Sequence, residues 1–107
     1  MEIKQYRIVI VNLDPTVGSE IKKTRPCLVI SPDEMNKHLR TITIAPITSK
    51  SKNYMTRVKF ELDGNNNWIV LDQIRTIDLT RIIKGIGDLD SKEIRKVKAI
   101  IKEMFVD

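Results

Sequence analysis

The chain has 107 residues, 41% of them hydrophobic, with only four Gly and four Pro; that suits one domain over residues 1–107, is too short for a second core, and is not the composition of a disordered chain. Nineteen Lys and Arg against 14 Asp and Glu give a formal net charge of +5, which favours an anionic partner and leaves RNA, DNA, an acidic protein and a membrane surface open. A single cysteine, Cys27, excludes an intramolecular disulfide and argues against a structural zinc site.

The N-terminal stretch MEIKQYRIVIVNLD is charged and alternating, so it reads as neither a signal peptide nor a membrane span, and a cytoplasmic location is expected. Tyr6 to Leu13, rich in Val and Ile, is predicted as the first strand, broken by Asp14-Pro15 and Gly18. Asp14 to Thr24 is a polar loop long enough to suggest a purpose. Pro26 to Ser31 is a second strand, and Cys27 within its apolar run reads as a buried strand residue rather than a nucleophile. Pro32 to Lys37 is a turn or short helical piece. Thr41 to Thr48, with Ile42, Ile44 and Ile47, is the third strand, followed by the basic loop Ser49 to Asn53.

Met55 to Leu62 alternates, with Val58, Phe60 and Leu62 on one side and Arg57, Lys59 and Glu61 on the other, so one face is buried and one wet. Asp63-Gly64-Asn65-Asn66 signals a hairpin, and Trp68 to Ile74 is the returning strand. A short segment with Ile77, Leu79, Ile82 and Ile83 leads to Asp88. Asp90 and Glu93 have capping-box spacing, with Asp90 as N-cap of a C-terminal helix. Ile94, Val97, Ile101, Met104 and Phe105 form its apolar face with Ile100 at the flank, and Lys92, Arg95, Lys96 and Lys102 lie opposite as a solvated face. Five or more short strands and one helix suggest a small, curved antiparallel barrel or sheet, mainly β.

Several chemistries are excluded by what is missing. There is no Gly-rich phosphate loop, no His/Cys ligand cluster and no G-x-S-x-G turn. His38 is the only histidine and sits in a polar turn, so it reads as an exposed turn residue and a two-histidine mechanism is impossible. The carboxylates are scattered rather than gathered as a two-metal nuclease requires. An enzyme with this sequence must rest on Arg, Thr, Ser and perhaps one carboxylate.

Four stretches, in order and at the right spacing, resemble the MazF/PemK/Kid toxin family. They are Asn12-Leu13-Asp14-Pro15-Thr16-Val17-Gly18-Ser19-Glu20, Thr24-Arg25-Pro26-Cys27-Leu28-Val29-Ile30-Ser31, Ala45-Pro46-Ile47-Thr48-Ser49 and Leu71-Asp72-Gln73-Ile74-Arg75-Thr76-Ile77-Asp78. The resemblance implies a small SH3-like barrel with a C-terminal helix, a homodimer with its RNA groove across the two-fold, and an antitoxin whose flexible acidic tail fills that groove. It also implies sequence-specific cleavage of single-stranded RNA by 2′-hydroxyl attack, without metal or other cofactor.

Such a reaction needs a proton acceptor, stabilisation of the phosphorane and protonation of the 5′-oxygen. Arg25, where the long loop meets the second strand, can aim its guanidinium at a phosphate. Its proton is held too tightly for easy transfer, so charge stabilisation is the safer role; the family is also thought to use this arginine in acid/base work. Taken alone, Arg25 would read as a surface salt bridge beside a proline. The Thr48 hydroxyl, at a strand end, suits a non-bridging phosphate oxygen, and Ser49 can assist; without the resemblance Thr48 is equally an ordinary β-branched strand end. Glu20 is either a base or base contact, or a solvated loop glutamate. Asp72, Gln73 and Arg75 read as structural first and substrate-contacting second, and Asp72, flanked by apolar neighbours, needs a hydrogen-bonding partner.

The chain departs from the family pattern at three places. Gln5-Tyr6-Arg7-Ile8 stands where relatives usually have a Gly-acidic-aromatic opening. Ser19 stands where some have His, and Val70 where others have Arg, so the weight falls on Arg25 and Thr48. Two rival readings are a gyrase-poisoning toxin of the CcdB type, which lacks the Arg-Pro and Pro-x-Thr-Ser pair found here, and an RNA-binding barrel without catalysis. The second would want aromatic stacking platforms, whereas Trp68, Phe60 and Phe105 sit where core residues are expected.

Overall fold

The computed structural model describes residues 2–106. Seven strands and two α-helices follow one another as β1 (Arg7–Asn12), β2 (Thr24–Val29), α1 (Asp33–His38), β3 (Thr41–Thr48), β4 (Arg57–Leu62), β5 (Asn65–Val70), β6 (Arg75–Asp78), β7 (Ile82–Asp88) and α2 (Ser91–Phe105). Single 3-10 turns, Leu71–Gln73 and Leu79–Arg81, join β5 to β6 and β6 to β7. The strands form one antiparallel sheet in the order β4-β5-β3-β2-β1-β7, with β6 also paired to β3. Among the described residues no pairing joins β4 to β7, so the sheet is a curled half-barrel rather than a closed one.

The eight-residue β3 is the hinge of this arrangement. Its one edge pairs with β2, while the other is divided: residues 41–44 pair with β6 and residues 47–48 with β5. Sharing an edge requires the chain to leave the sheet between β5 and β6, and the Leu71–Gln73 turn does so. This corrects the expected strand Trp68 to Ile74, which ends at Val70 and resumes at Arg75 on a different stretch of β3. The hairpin before it is tighter than the four-residue signal suggested. Leu62 pairs with Asn65, and Asp63 and Gly64 both have positive φ, 53° and 78°, as a two-residue type I′ turn demands.

Successive residues of β1, β2 and β3 feed two different cores, because side chains alternate across a strand. Ile8, Leu28, Ala45 and Ile47 join Val58, Phe60, Ile69, Leu71, Leu89 and Val97 on one face. Val9, Val11, Leu13, Cys27, Val29, Ile42, Ile44 and Ile77 pack on the other. Both faces being buried explains why these three strands read as nearly continuous apolar runs. The helix α2 covers the first core with Val97, Ile94, Ile100, Ile101 and Met104. Its N-terminus is capped as expected, Asp90 accepting the Glu93 N–H at 2.9 Å; the Glu93 carboxylate turns to Lys96 (3.6 Å) rather than back to Asp90. Phe105 departs from expectation, being 63% exposed at the helix end.

Candidate functional site

Strand register assembles the site. Cys27 pairs with Pro46, Leu28 with Ala45 and Val29 with Ile44; side-chain alternation then puts Arg25, two residues before Cys27, and Thr48, two residues after Pro46, on the same sheet face. On the other side of β3, Thr48 pairs with Trp68, which pairs in turn with Lys59. Residues paired across strands share a face. Thr48, Trp68 and Lys59 therefore form one row across three strands, about 10 Å wide at a strand spacing of about 4.8 Å, with Arg25 on the same face of β2. The row lies on the face of the second core, beyond the point where that core ends.

Arg25 keeps hydrogen-bonding capacity to spare. Its Nε donates to the Lys22 carbonyl at 2.9 Å, which fixes the plane of the guanidinium, while its two terminal nitrogens have no hydrogen bond among the described residues. Thr48 is buried, and its Oγ1 accepts the Lys50 N–H at 3.2 Å and lies 3.4 Å from the Lys50 carbonyl. The hydroxyl thus turns the chain into the basic loop, and its long contact with the carbonyl leaves the proton free to swing to a better acceptor. Ser49, next along, is exposed.

Beside the row, Glu20, Ile21, Pro46, Asp72, Gln73, Ile74 and Arg75 line a pocket of about 260 Å³. Three of the four sequence motifs meet there, and Pro46, which lines the pocket, stands two residues before Thr48 on β3. The long loop forming one wall is held from the opposite strands. Gln73 Oε1 accepts the Ile21 N–H at 2.8 Å and its Nε2 donates to the Ser19 carbonyl at 3.4 Å. Arg75 donates to the Leu13 carbonyl at 3.1 Å, and Arg81 to the Asn12 carbonyl at 3.2 Å and to the Asp14 carbonyl. Glu20 accepts the Val17 N–H at 2.6 Å across the turn at Gly18, so one carboxylate oxygen serves the loop itself. Glu20 thus shapes the loop and also lines the pocket.

Asp72 has the partner its setting demanded. Arg57 grips it with Nε and Nη2, each at 3.1 Å, and the Thr56 hydroxyl adds a bond of 2.9 Å. Arg57 also donates to the Ser51 hydroxyl at 2.8 Å and lies 4.7 Å from the centre of the Tyr54 ring. Asp72 therefore ties the basic loop to the turn after β5, in a 3-10 turn rather than the strand expected. The bonds from Arg57 hold its carboxyl below the usual carboxylate range and raise the guanidinium in turn. A lowered carboxyl stabilises the fold above its unfolded-state value, about pH 4, and loses that contribution as the pH falls through the lowered value. Asp72→Ala is expected to cost about 1–2 kcal/mol near pH 7, the pair being partly solvent-screened. Urea denaturation checks this: the gap between wild type and variant should close when the pH is taken well below 4, and a pH-independent gap would show that packing, not charge, is lost.

Cys27 and His38 fall outside the chemistry. The Cys27 thiol is buried and pushed up to about 12 by that burial, against the opposing pull of Arg75 and Arg25. It is a neutral core residue. His38 is exposed on α1, 3.2 Å from Glu34, at the opposite end of β2 from Arg25. Among the described residues no three His, Cys, Asp or Glu side chains group as a metal site.

Sequence reasoning missed three contributors: Arg57, Arg81 and Trp68. Trp68 was expected in the core, as were Phe60 and Phe105. Phe60 is buried there, but Trp68 is part-exposed and packs into neither core. The signal was present, since the alternation of Val58 to Leu62 turns Lys59 outward, and a two-residue hairpin at Asp63-Gly64 sets Trp68 opposite it.

A family model described as PemK-like, MazF-like toxin of type II toxin–antitoxin system matches residues 4–105. Endoribonuclease EndoA of Bacillus subtilis is 34% identical over 103 residues, which span 91% of this chain and 89% of that protein. The crystal structure of MazF from Deinococcus radiodurans superposes with a TM-score of 0.86 at 23% identity, covering 97% of this chain and 96% of that one. A mycobacterial endoribonuclease solved in complex with its cognate antitoxin gives a TM-score of 0.80 at 14% identity, with 94% and 92% covered.

Proposed function

This chain belongs to the family of PemK-like, MazF-like toxins of type II toxin–antitoxin systems, and we propose that it is a metal-independent endoribonuclease that cuts single-stranded RNA at particular sequences. The observation that carries the reading is Arg25, its terminal nitrogens unbonded among the described residues, on the sheet face that strand alternation also gives Thr48. A phosphate seated between them receives two charge-assisted bonds from the guanidinium and one from the hydroxyl.

In the reaction, the ribose 2′-oxygen attacks the adjacent phosphorus and gives up its proton. The bond from phosphorus to the 5′-oxygen breaks, and that oxygen takes a proton. The products are a 2′,3′-cyclic phosphate, opened by water to a 3′-phosphate, and a 5′-hydroxyl end. Arg25 stabilises the charge that grows on the phosphorane, and Thr48 donates to a non-bridging oxygen with Ser49 beside it. Glu20 and Arg75 face the neighbouring nucleotide from the pocket, and Gln73 and Asp72 hold the two loops that flank it. The active species is a homodimer whose groove is blocked by a cognate antitoxin with an acidic tail, complementary to Arg25, Arg75 and the basic loop. The protein works in the cytoplasm, where messenger RNA is reached; among the described residues no helix is long and apolar enough to cross a membrane.

Incubating the purified protein with a long mixed-sequence RNA in excess EDTA tests this directly. The expected result is a set of discrete cuts with cyclic or 3′-phosphate and 5′-hydroxyl ends, at the rate seen without chelator. Loss of activity on chelation would sink the metal-free mechanism. Intact RNA from a folded protein would overturn the enzyme reading.

A further inference from the structure

Trp68 is the only tryptophan of the chain, and no core accounts for its position. It is part-exposed and absent from both packed clusters. Pairing with Thr48 puts it on the same face as that hydroxyl, one strand spacing of about 4.8 Å away. The ring is nonetheless held in place. Its indole N–H donates to Asn53 Oδ1 at 3.1 Å, and Lys59 Nζ lies 5.8 Å from the ring centre. Asn53 belongs to the basic loop that leaves β3 at Thr48, so the loop and the ring are fixed to each other.

An oriented, half-open indole with a lysine beside it and a phosphate-binding pair one strand away has the parts of a single-strand nucleic-acid platform. Aromatic faces stack bases, while cations follow the backbone. Resting on the reading of the chain as an RNA-cutting enzyme, we infer that Trp68 is a base-stacking residue of the RNA groove. The base next to the phosphate held by Arg25 and Thr48 stacks on the indole, and Lys59 takes the phosphate that follows. Trp68 binds and positions substrate without taking part in bond making. Every base has a π-face, so its contribution is nearly independent of base identity, and selection of the cut sequence falls to the pocket around Gln73 and Arg75.

A mixed-sequence RNA oligonucleotide carrying 2′-O-methyl groups throughout has no attacking hydroxyl and binds uncut. Titrated into the wild-type protein, it should quench the fluorescence of the lone indole. Trp68→Ala should weaken its binding about 10- to 100-fold and raise KM for cleavable RNA, with kcat held within about twofold. Trp68→Phe, which keeps a π-face, should recover most of the affinity and also answers any concern that the alanine variant is misfolded. An unquenched indole at saturation, or a Trp68→Ala protein that binds and cuts like wild type, would overturn the stacking role and leave the endoribonuclease intact. A wild-type protein that cuts no RNA would fail the enzyme reading instead. The oligonucleotide titration and the two variants then still decide, by quenching and affinity, whether Trp68 stacks bases.

Discussion

Arg25→Ala is expected to lower RNA cleavage by at least about 10²–10³-fold while leaving the protein folded. The magnitude is that of removing a preorganised charged donor from a site where negative charge grows in the transition state. The specificity of the effect follows from the arginine's surroundings. Among the described residues its side chain makes one hydrogen bond, to the Lys22 carbonyl at the foot of the loop, so truncation removes little that the fold depends on. Arg25→Lys should fall between, since an ammonium keeps the charge but not the planar fork that grips a phosphate with two bonds. Single-turnover cleavage of a short RNA gives the rate, and circular dichroism reports the fold. Cutting near the wild-type rate by Arg25→Ala would remove Arg25 from the mechanism and shift the burden to Arg75 in the pocket.

The largest expected loss of stability comes from beneath the site. Ile44 is fully buried in the second core, between Val29 on β2 and Arg75 on β6. Ile44→Ala removes three carbons and leaves a cavity that the flanking strands are too firmly paired to close, at a cost of about 3 kcal/mol. For a domain of this size that corresponds to a fall in Tm of roughly 12–24 °C. Because Ile44 pairs with Arg75, which secures the Leu13 carbonyl, cleavage should weaken together with stability. Thermal unfolding followed by circular dichroism decides the matter. A fall of only a few degrees would mean that the first core, under α2, carries the fold by itself.

Much of this molecule was readable along the chain, and the readable parts are those governed by local rules. The third strand, Thr41 to Thr48, was found at its observed bounds, since its apolar run is closed by a basic loop on one side and a polar turn on the other. The alternation in Met55 to Leu62 named the buried and exposed faces of β4 correctly, and Asp90 caps α2 because an acceptor before a helix satisfies a free N–H wherever it occurs. The motif pattern also picked out Glu20, Asp72, Gln73 and Arg75, which the fold brings to one pocket, and Arg25 and Thr48, which strand alternation puts on one sheet face.

Elsewhere the outcome depended on partners far off in the sequence. β7 was read as a short connecting segment because nearly all of it is exposed; a strand with no buried face has no alternation to detect, and only pairing with β1 makes it one. The break at Val70 follows from β3 sharing one edge between β5 and β6, a competition for hydrogen bonds that the apolar run Trp68 to Ile74 does not encode. Asp72 anchors a loop because the fold brings Arg57 within reach. Trp68 and Phe105 look like core residues by type, and whether such a side chain is buried depends on what the fold lays over it. Trp68 is left part-exposed, outside both cores, one strand from Thr48.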